Sequence, residues 1–218
     1  SIHTPFILAA TALKKIYPDL RICIIVPDLP EYMDDNGLIK AFFKKIEKQI
    51  LDKAFLKVDT FVVLSDYMVE PLKIGDKPWI RIEGIYEEKL EKKVEKEKSR
   101  VIFYSGTLAR RYGILNLLQA FSEIDNDSYQ LWICGEGDAK EEVEKMAKVD
   151  SRVKFLKQLP REQVVEIQKK ATVLINPRYS KEEFTKYSFP SKTIEYLASG
   201  TPAILFRLPG IPEEYFNY

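Results

Sequence analysis

The sequence has few residues that bind metals or form disulfide bonds. It contains two cysteines, Cys23 and Cys134, and a single histidine, His3. A structural zinc site needs about four such ligands close together, and a disulfide frame needs a larger, regularly spaced set. Each cysteine lies within a short apolar run, in RICIIV and LWICG. The sequence therefore predicts two buried thiols in a reducing compartment, with no disulfide, no metal site and no cofactor.

Long apolar runs and an excess of one charge are also missing. No apolar run approaches the ~20 residues that cross a bilayer, and no signal peptide is apparent. Lysine and arginine number 34 against 33 acidic residues, a net charge of +1, which argues against a nucleic-acid binder that depends on bulk basicity. Apolar residues make up 45% of the chain, enough for a substantial core. We therefore expect a cytoplasmic globular protein with no nucleic-acid partner.

Short runs rich in β-branched and aromatic residues alternate with helical patterns. Strands are predicted at 22–26, 60–64, 79–82, 101–104, 130–134, 153–156, 172–175 and 202–206. Helices are predicted at 6–16, 38–56, 67–73, 114–124, 139–147, 161–170 and 191–198. Apolar strands separated by helices are typical of parallel sheets covered on both faces. The predicted fold class is α/β, with a doubly wound, Rossmann-like parallel sheet in the second part.

A charged segment divides the chain. The stretch YEEKLEKKVEKEKSR, residues 86–100, carries eleven charges in fifteen residues, and such runs are usually solvated. We predict a partial first domain at 1–85, a linker at 86–100 and a second domain at 101–218. The first part holds too few elements for a complete sheet, so we expect it to be the latter part of a Rossmann-like domain. Closing helices are likewise expected to be missing after the last strand.

The stretch KYSFPSKTIEYLASGTPAIL, residues 186–205, has an unusually polar first turn for a helix. Proline and serine favour a helix start at 190 or 191, where backbone amides and the helix dipole attract anions. Lys192 adds a positive charge there. Glu195 lies one turn after Ser191 and can accept hydrogen bonds from two neighbouring hydroxyls, as a ribose presents them. The alternative is an amphipathic helix with surface charges, and spacing alone does not separate the two. The position favours a site, because open α/β folds bind ligands at the carboxyl ends of strands.

Two earlier strand-to-helix turns contain glycine. In YSGTLARRYGI, Gly106 allows a ligand to approach the backbone, and Arg110 and Arg111 are candidates for contacting phosphate. In CGEGDAKEEV, Gly135 opens a turn that lacks the third glycine of a dinucleotide fingerprint. The alternative is a plain glycine turn with solvated arginines.

Three further candidates lie elsewhere. Arg178 stands at the base of a long loop and could contact a ligand's phosphates or sugar, or pair with Glu182 or Glu183. His3 precedes an apolar helix and Asp28 follows a strand, so both are placed for the carboxyl edge of the first sheet. A histidine in this position more often caps a helix.

The lysine-rich segment 39–57 carries six lysines and two acidic residues. Its two interpretations are a solvated helix face and a docking surface for the inner face of an anionic membrane. We favour the solvated face and keep peripheral membrane contact as the alternative.

Four stretches of the second part, taken in order, resemble one family. They are YSGTLARRYGILNLLQAF, LWICGEGDAKEEVEKMA, VKFLKQLPREQVVEIQKKATVLINPR and YSFPSKTIEYLASGTPAIL. Residues 101–206 resemble the donor-binding domain of GT-B glycosyltransferases, specifically the retaining class called glycosyltransferase family 4. The first part, with SIHTPFILAA, CIIVPDLP and VDTFVVLSDYM, is similar to the latter half of the acceptor domain in bacterial polysaccharide-type members.

The resemblance implies roles for individual residues. Glu195 matches the second glutamate of the family's Glu-x7-Glu motif, which holds the nucleotide ribose. The first glutamate, which normally touches the donor sugar, falls on Tyr187. Phe189 keeps the aromatic residue of the usual Gly-Phe-Gly sequence, while Ser188 and Pro190 replace its glycines.

The family's phosphate-binding Arg/Lys pair falls on Thr107 and Tyr112, so neither member is retained. Arg110, Arg111 or Lys192 would then bind the diphosphate. By the same resemblance, His3 lies where the family often has a histidine near the donor sugar.

The implied activity is metal-independent transfer of a hexose, with retention, from a nucleotide-diphosphate sugar such as a UDP-sugar. The acceptor would be a saccharide or a lipid-linked saccharide in bacterial polysaccharide biosynthesis. The residues expected to act in catalysis are Glu195, Lys192 and His3, with Asp28 on the acceptor side. The residues expected to bind the donor are Gly106, Arg110, Arg111, Gly135, Arg178, Tyr187, Ser188, Phe189 and Ser191.

Two other functions fit the same architecture. One is a nucleotide-sugar epimerase, and the other is a non-catalytic module that binds a nucleotide sugar. Because much of the acceptor half is missing, we expect this 218-residue chain to be inactive by itself.

Overall fold

The computed structural model describes residues 4–29, 38–85, 95–179 and 183–217. The chain divides into two compact units. Unit 1 comprises Ser1–Ile85, Lys181–Phe189 and Leu208–Tyr218, and unit 2 comprises Tyr86–Ser180 and Pro190–Arg207. Two short segments from the end of the sequence therefore belong to the same unit as its beginning.

Unit 1 contains a three-stranded parallel sheet in the order β1-β2-β3. Its elements are α1 (Thr4–Ile16), β1 (Cys23–Val26), α2 (Leu38–Phe55), β2 (Thr60–Val63) and β3 (Trp79–Arg81). Cys23 is paired with Thr60 in the β1–β2 register. The core is formed by apolar residues of the strands, α2 and the following turns, including Val26, Phe61 and Met68.

Unit 2 contains a five-stranded parallel sheet in the order β6-β5-β4-β7-β8. Its strands are β4 (Arg100–Ser105), β5 (Tyr129–Cys134), β6 (Val153–Phe155), β7 (Val173–Asn176) and β8 (Ala203–Leu205). Its helices are α3 (Ile114–Ser122), α4 (Lys140–Val149), α5 (Arg161–Lys170) and α6 (Ser191–Ala198). The chain runs outward from β4 to β6 and then crosses to β7 on the other side, which makes β4 the point where strand order reverses.

The α/β fold class is confirmed by these two parallel sheets. Each of the eight predicted strands is present, and α5 and α6 have the predicted bounds. Buried residues from strands and helices form two clusters in unit 2, one containing Leu131 and Ile133 and the other Phe103 and Leu174. The strands are short, continuous and apolar, which is the pattern from which buried parallel strands are predicted.

The helix predicted at 67–73 is wrong. The structure has only a short 3-10 helix, Asp66–Met68, followed by turns. Pro71 lies within the predicted range, and a proline there has no amide proton to donate and would clash with the carbonyl four residues earlier. The chain then turns sharply at Lys73, which has a positive φ of 52°.

The prediction that both cysteines are buried is wrong for Cys23. Cys134 is buried, whereas Cys23 is exposed. Successive side chains of a strand point to opposite faces, so Cys23 and the exposed Ile25 share one face of β1 while Val26 points into the core. Among the described residues β1 pairs with β2 alone, and the apolar run by itself gave no sign of this open face.

The end of the charged segment is attached to unit 2. Lys96 donates from Nζ to the Ala171 carbonyl at 3.0 Å and to Thr201 Oγ1 at 2.7 Å. The amide of Glu97 donates to the Lys170 carbonyl at 2.9 Å. Residues 86–94 lie outside the described residues. In the part of the chain that is described, no helix combines the length and apolar character needed to cross a bilayer.

Candidate functional site

Two glycine turns meet at the carboxyl ends of β4 and β5. The amide of Gly106 donates to the Cys134 carbonyl at 3.0 Å. Gly135 has a φ of +149°, and a Cβ atom placed on it would lie 1.8 Å from the Gly106 carbonyl oxygen. A side chain at Gly135 would therefore separate the two turns, and only glycine satisfies both the backbone angle and the close approach.

These turns border a cavity of about 480 Å³ that lies wholly within unit 2. Its lining comes from β4, β5, the segment after β6, α5 and α6. The lining residues are Ser105, Gly106, Thr107, Cys134, Gly135, Glu136, Gln158, Leu159, Arg161, Val164, Val165, Lys192 and Glu195. The volume is within the range of ~300–1,000 Å³ typical of small-ligand pockets. Four of the predicted residues therefore lie together: Gly106, Gly135, Lys192 and Glu195.

Helix α6 presents its two charged residues to this cavity. It begins at Ser191 after Pro190, and no side chain caps its first turn. Lys192 Nζ donates to Glu195 Oε2 at 2.7 Å, and both side chains are partly exposed, by 31% and 24%. Ser191 is exposed and does not line the cavity. The glutamate is thus paired with Lys192 across one turn, and within the described part of the chain no side chain accepts from the first-turn amides.

A buried tyrosine attaches α6 to the sheet beneath the cavity. Tyr196 is fully buried; its hydroxyl accepts from the Ser105 amide at 3.4 Å and donates to the Ile175 carbonyl at 3.3 Å. Gln168 adds a hydrogen bond to Ser105 Oγ at 3.2 Å. Burial raises the pKa of Tyr196 to about 12, so the phenol stays protonated at neutral pH. Tyr196, which directly follows Glu195, therefore fixes the rotation of α6 against β4 and β7.

The predicted arginines occupy other positions. Arg110 forms an ion pair with Glu142, and its amide donates to Asp138 Oδ1 at 2.9 Å. The guanidinium groups of Arg111 and Arg178 lie 5.1 and 5.0 Å from the ring centroid of Tyr112. None of the three lines the cavity.

Other predicted residues belong to unit 1 and are not part of this cavity. Phe189 is buried, with its ring centroid 5.1 Å from that of Tyr215. Tyr187 is partly buried against the unit 1 core, and the Ser188 carbonyl leaves no room for a side chain at Gly210. Asp28 is exposed after β1. His3 lies outside the described residues.

Two further lining residues, Gln158 and Arg161, were not predicted from the sequence. Both follow β6, whose carboxyl end lies at the same sheet edge as those of β4 and β5. The stretch KQLPREQ is another polar strand-to-helix turn at this edge, so the sequence pattern could have predicted these two residues. Burial raises the pKa of the Cys134 thiol, so this lining residue stays neutral. The described residues contain no group of acidic, histidine or cysteine residues that could hold a metal.

The comparisons with known proteins agree with this geometry. The family model for glycosyl transferases group 1 matches residues 86–217, more than half of the chain. No curated protein sequence matches.

Solved structures similar to this chain include sucrose-phosphate synthase from Thermosynechococcus elongatus, with 20% identity, a TM-score of 0.63, and coverage of 95% of this chain and 57% of that one. HepE from Anabaena, solved with UDP and glucose, has 11% identity, a TM-score of 0.62, and coverage of 95% and 58%. WaaG, a glycosyltransferase involved in lipopolysaccharide biosynthesis, has 15% identity, a TM-score of 0.63, and coverage of 94% and 64%.

At these identities the structural similarity supports the fold, and this chain spans about three-fifths of the length of the proteins it matches. The two parallel sheets have the α/β architecture of GT-B glycosyltransferases. Because the family model matches more than half of the chain, including all of unit 2, the chain belongs to the glycosyl transferases group 1 family.

Proposed function

We propose that this chain is the donor-binding part of a retaining glycosyltransferase of family 4. The enzyme would transfer a hexose from a nucleotide-diphosphate sugar to a saccharide or lipid-linked acceptor in bacterial polysaccharide biosynthesis. The observation that carries this proposal is the Lys192–Glu195 pair at a cavity on the carboxyl edge of a doubly wound sheet. Family membership and the similarity to HepE, which was solved with UDP and glucose, support the choice of ligand.

In this proposal the diphosphate binds at the first turn of α6. The positive end of the α6 dipole and the Lys192 ammonium would supply positive charge without a metal. Lys192 would turn from Glu195 toward a phosphate oxygen, which leaves the carboxylate free to accept hydrogen bonds from the ribose hydroxyls. Arg161, which also lines the cavity, would add a second cation near the same ligand.

The main catalytic contribution would be stabilisation of the leaving group. When the bond between the sugar's anomeric carbon and the diphosphate breaks, its electron pair stays on the phosphate oxygen and negative charge develops there. Fixed hydrogen-bond donors and cations aimed at developing charge usually lower the barrier more than any other feature of an active site. Tyr187 has no carboxylate, so in this proposal the contact to the donor sugar differs from the one that the family motif implies.

Calorimetric titration with UDP, GDP and ADP tests the proposal. We expect binding of at least one nucleoside diphosphate, weakened about tenfold or more in Lys192→Ala because a hydrogen bond to a charged group contributes about 1.5–3 kcal/mol. Lys170→Ala is the matched control, since Lys170 forms a similar helical pair with Glu166 at 2.6 Å away from the cavity. The free energy of unfolding of both variants should change by less than about 1 kcal/mol.

Two results would contradict the proposal. One is the absence of binding by any of the three nucleotides, and the other is equal affinity in the wild-type chain and Lys192→Ala. Nucleotide binding without any sugar transfer or hydrolysis by the longest version of the protein would favour the non-catalytic module instead. Cytoplasmic location and membrane contact through residues 39–57 stay predictions.

A further inference from the structure

A second cavity, of about 690 Å³, lies within unit 1. It is bordered by Asp66, which follows β2, by Trp79, Ile80 and Arg81 of β3, and by the residues after them. Because parallel strands end at the same edge, the turn after β2 and the end of β3 come together here. The C-terminal 3-10 helix, Glu213–Phe216, completes the border with two of its side chains.

The polar part of this cavity is organised by Arg81. Its guanidinium contacts Glu83 at 2.6 Å, Asp66 at 2.8 Å and Glu214 at 2.5 Å. Three carboxylates against one guanidinium leave a formal charge of −2. The Asp66 and Glu214 side chains are about half exposed, and their second oxygens make no hydrogen bond within the described part of the chain. These oxygens can therefore accept hydrogen bonds from a ligand, and an anionic ligand would be repelled.

The apolar part consists of Trp79, Ile80 and Tyr215. Trp79 is 41% exposed and Ile80 56% exposed, which is high for residues that are normally buried on folding. Burial raises the pKa of the Tyr215 phenol, so it is neutral at this edge. Trp79 and Arg81 lie two positions apart on β3 and share one face of the strand, so an exposed aromatic ring lies on the same face as the guanidinium that holds the carboxylates.

We propose that the unit 1 cavity binds a neutral or amino-bearing pyranose. A pyranose has an apolar C–H face that can pack on Trp79 and hydroxyl groups that can donate to Asp66 and Glu214. A small number of polar groups around an apolar wall fixes ligand orientation in small-molecule sites. Binding of this sugar at Trp79 does not depend on the proposed function.

The negative charge of the cavity also argues against other classes of ligand. A nucleotide or sugar phosphate would bring negative charge next to three carboxylates. A lysine-bearing peptide would satisfy the charge, but it does not need the flat aromatic wall that Trp79 offers. A pyranose can contact both the carboxylates and the aromatic ring, so we select pyranoses as the ligand class.

Tryptophan fluorescence and ligand-detected NMR test this proposal on the intact chain. The chain has two tryptophans, so Trp132→Phe leaves Trp79 as the sole reporter. The probes are methyl α-glucopyranoside, glucosamine and glucuronic acid at about 10 mM, a concentration that detects millimolar Kd values. We expect a change in Trp79 emission and saturation transfer to the first two sugars, with at least fivefold weaker binding of glucuronic acid.

Variants then locate the binding. Trp79→Ala should abolish the saturation transfer, while Tyr17→Ala, which removes another exposed aromatic side chain of unit 1, should leave it unchanged. Circular dichroism and a urea unfolding curve check that Trp79→Ala is folded. If it is not, the emission of Trp79 in the Trp132→Phe chain still tests the proposal, because that measurement does not use the Trp79→Ala variant. No response of Trp79 to any probe, transfer that survives Trp79→Ala, or preferential binding of a tri-lysine peptide would overturn it.

A UDP titration in the same samples separates this proposal from the proposed function. Sugar binding at Trp79 without nucleotide binding would remove the enzymatic assignment and keep a saccharide site. Nucleotide binding without sugar binding would remove this site and keep the donor site.

Discussion

The cavities of units 1 and 2 differ in the origin of their charge and in what limits their shape. The unit 2 cavity is lined by two cations, Lys192 and Arg161, and two anions, Glu195 and Glu136. These formal charges cancel, so the dipole of α6 favours an anion. In unit 1, three carboxylates surround Arg81 and disfavour one. If both proposals hold, the two cavities select ligands of different charge.

The shapes are controlled differently as well. The unit 2 cavity is bounded by glycine backbone, where an added Cβ at Gly135 has no space. The unit 1 cavity is bounded by side chains that can be exchanged without moving the backbone. We therefore expect backbone substitutions to abolish the first site and charge substitutions to adjust the second.

The greatest effect is expected for Gly135→Ala. The new Cβ would meet the Gly106 carbonyl oxygen at 1.8 Å, so the β4 and β5 turns must separate, at a cost of about 3 kcal/mol or more. Gly200→Ala is the control, since Gly200 has a φ of +67° but no atom within 4 Å of the added Cβ, and should cost about 1–2 kcal/mol. Urea unfolding measures both, and equal losses would contradict the close-approach argument.

A smaller effect, on ligand binding, is expected for Glu195→Gln. If the carboxylate accepts hydrogen bonds from the ribose, its loss should weaken UDP binding about 10- to 100-fold. This is the change in affinity that corresponds to about 1.5–3 kcal/mol, the usual contribution of a hydrogen bond to a charged group. The wild-type chain should also prefer UDP to 2′-deoxy-UDP, and the variant should lose most of that preference. Calorimetry measures both the affinity for UDP and the preference for UDP over 2′-deoxy-UDP. Glu166→Gln on α5, away from the cavity, is the control, and an undiminished preference in Glu195→Gln would exclude the ribose contact.

The next effect concerns pH and Tyr196. The folded chain holds the phenol proton until about pH 12, whereas an unfolded tyrosine releases it near pH 10. The stability due to this group is therefore complete below pH 10 and is lost as the pH rises through 12. Tyr196→Phe should lose about 1 kcal/mol at neutral pH from its missing hydrogen bonds and should fall less steeply between pH 10 and pH 12. Parallel unfolding midpoints for the two proteins across that range would argue against a buried phenol.

The smallest effect is expected for the unit 1 cavity. The double variant Asp66→Asn/Glu214→Gln removes two charges while keeping oxygen acceptors at both positions. We expect the ratio of glucosamine to glucuronic acid affinity to fall about fivefold, close to 1 kcal/mol, because the charges are partly exposed. The change should shrink in high salt. Saturation-transfer titrations measure the ratio, and an unchanged ratio at low salt would show that charge does not select the ligand there.

Local patterns predicted the strands and four of the residues that line the unit 2 cavity. Short apolar runs marked each strand, and Gly106, Gly135, Lys192 and Glu195 follow from turns at the carboxyl ends of strands. Long side chains were harder to place, because a nearby partner decides where they point. Arg110 pairs with Glu142, 32 positions away in the sequence, and no local pattern specifies that choice.

The buried hydrogen bonds and the unit 1 cavity could not be predicted from local sequence patterns. Tyr196 has the sequence context of an apolar core residue, yet its hydroxyl connects two strands, and those partners are known only once the sheet order is known. The contact between Arg81 and Glu214 spans 133 positions. Pro71, by contrast, is a local signal that already argues against the predicted 67–73 helix.

The unequal burial of the two thiols has a practical consequence. Cys23 is exposed on β1 of unit 1, while Cys134 is buried and its pKa is raised. A maleimide dye should therefore react at Cys23 alone. The native protein can in this way carry one fluorophore on a chosen unit, so motions of that unit can be followed by single-molecule methods without engineering a new attachment point.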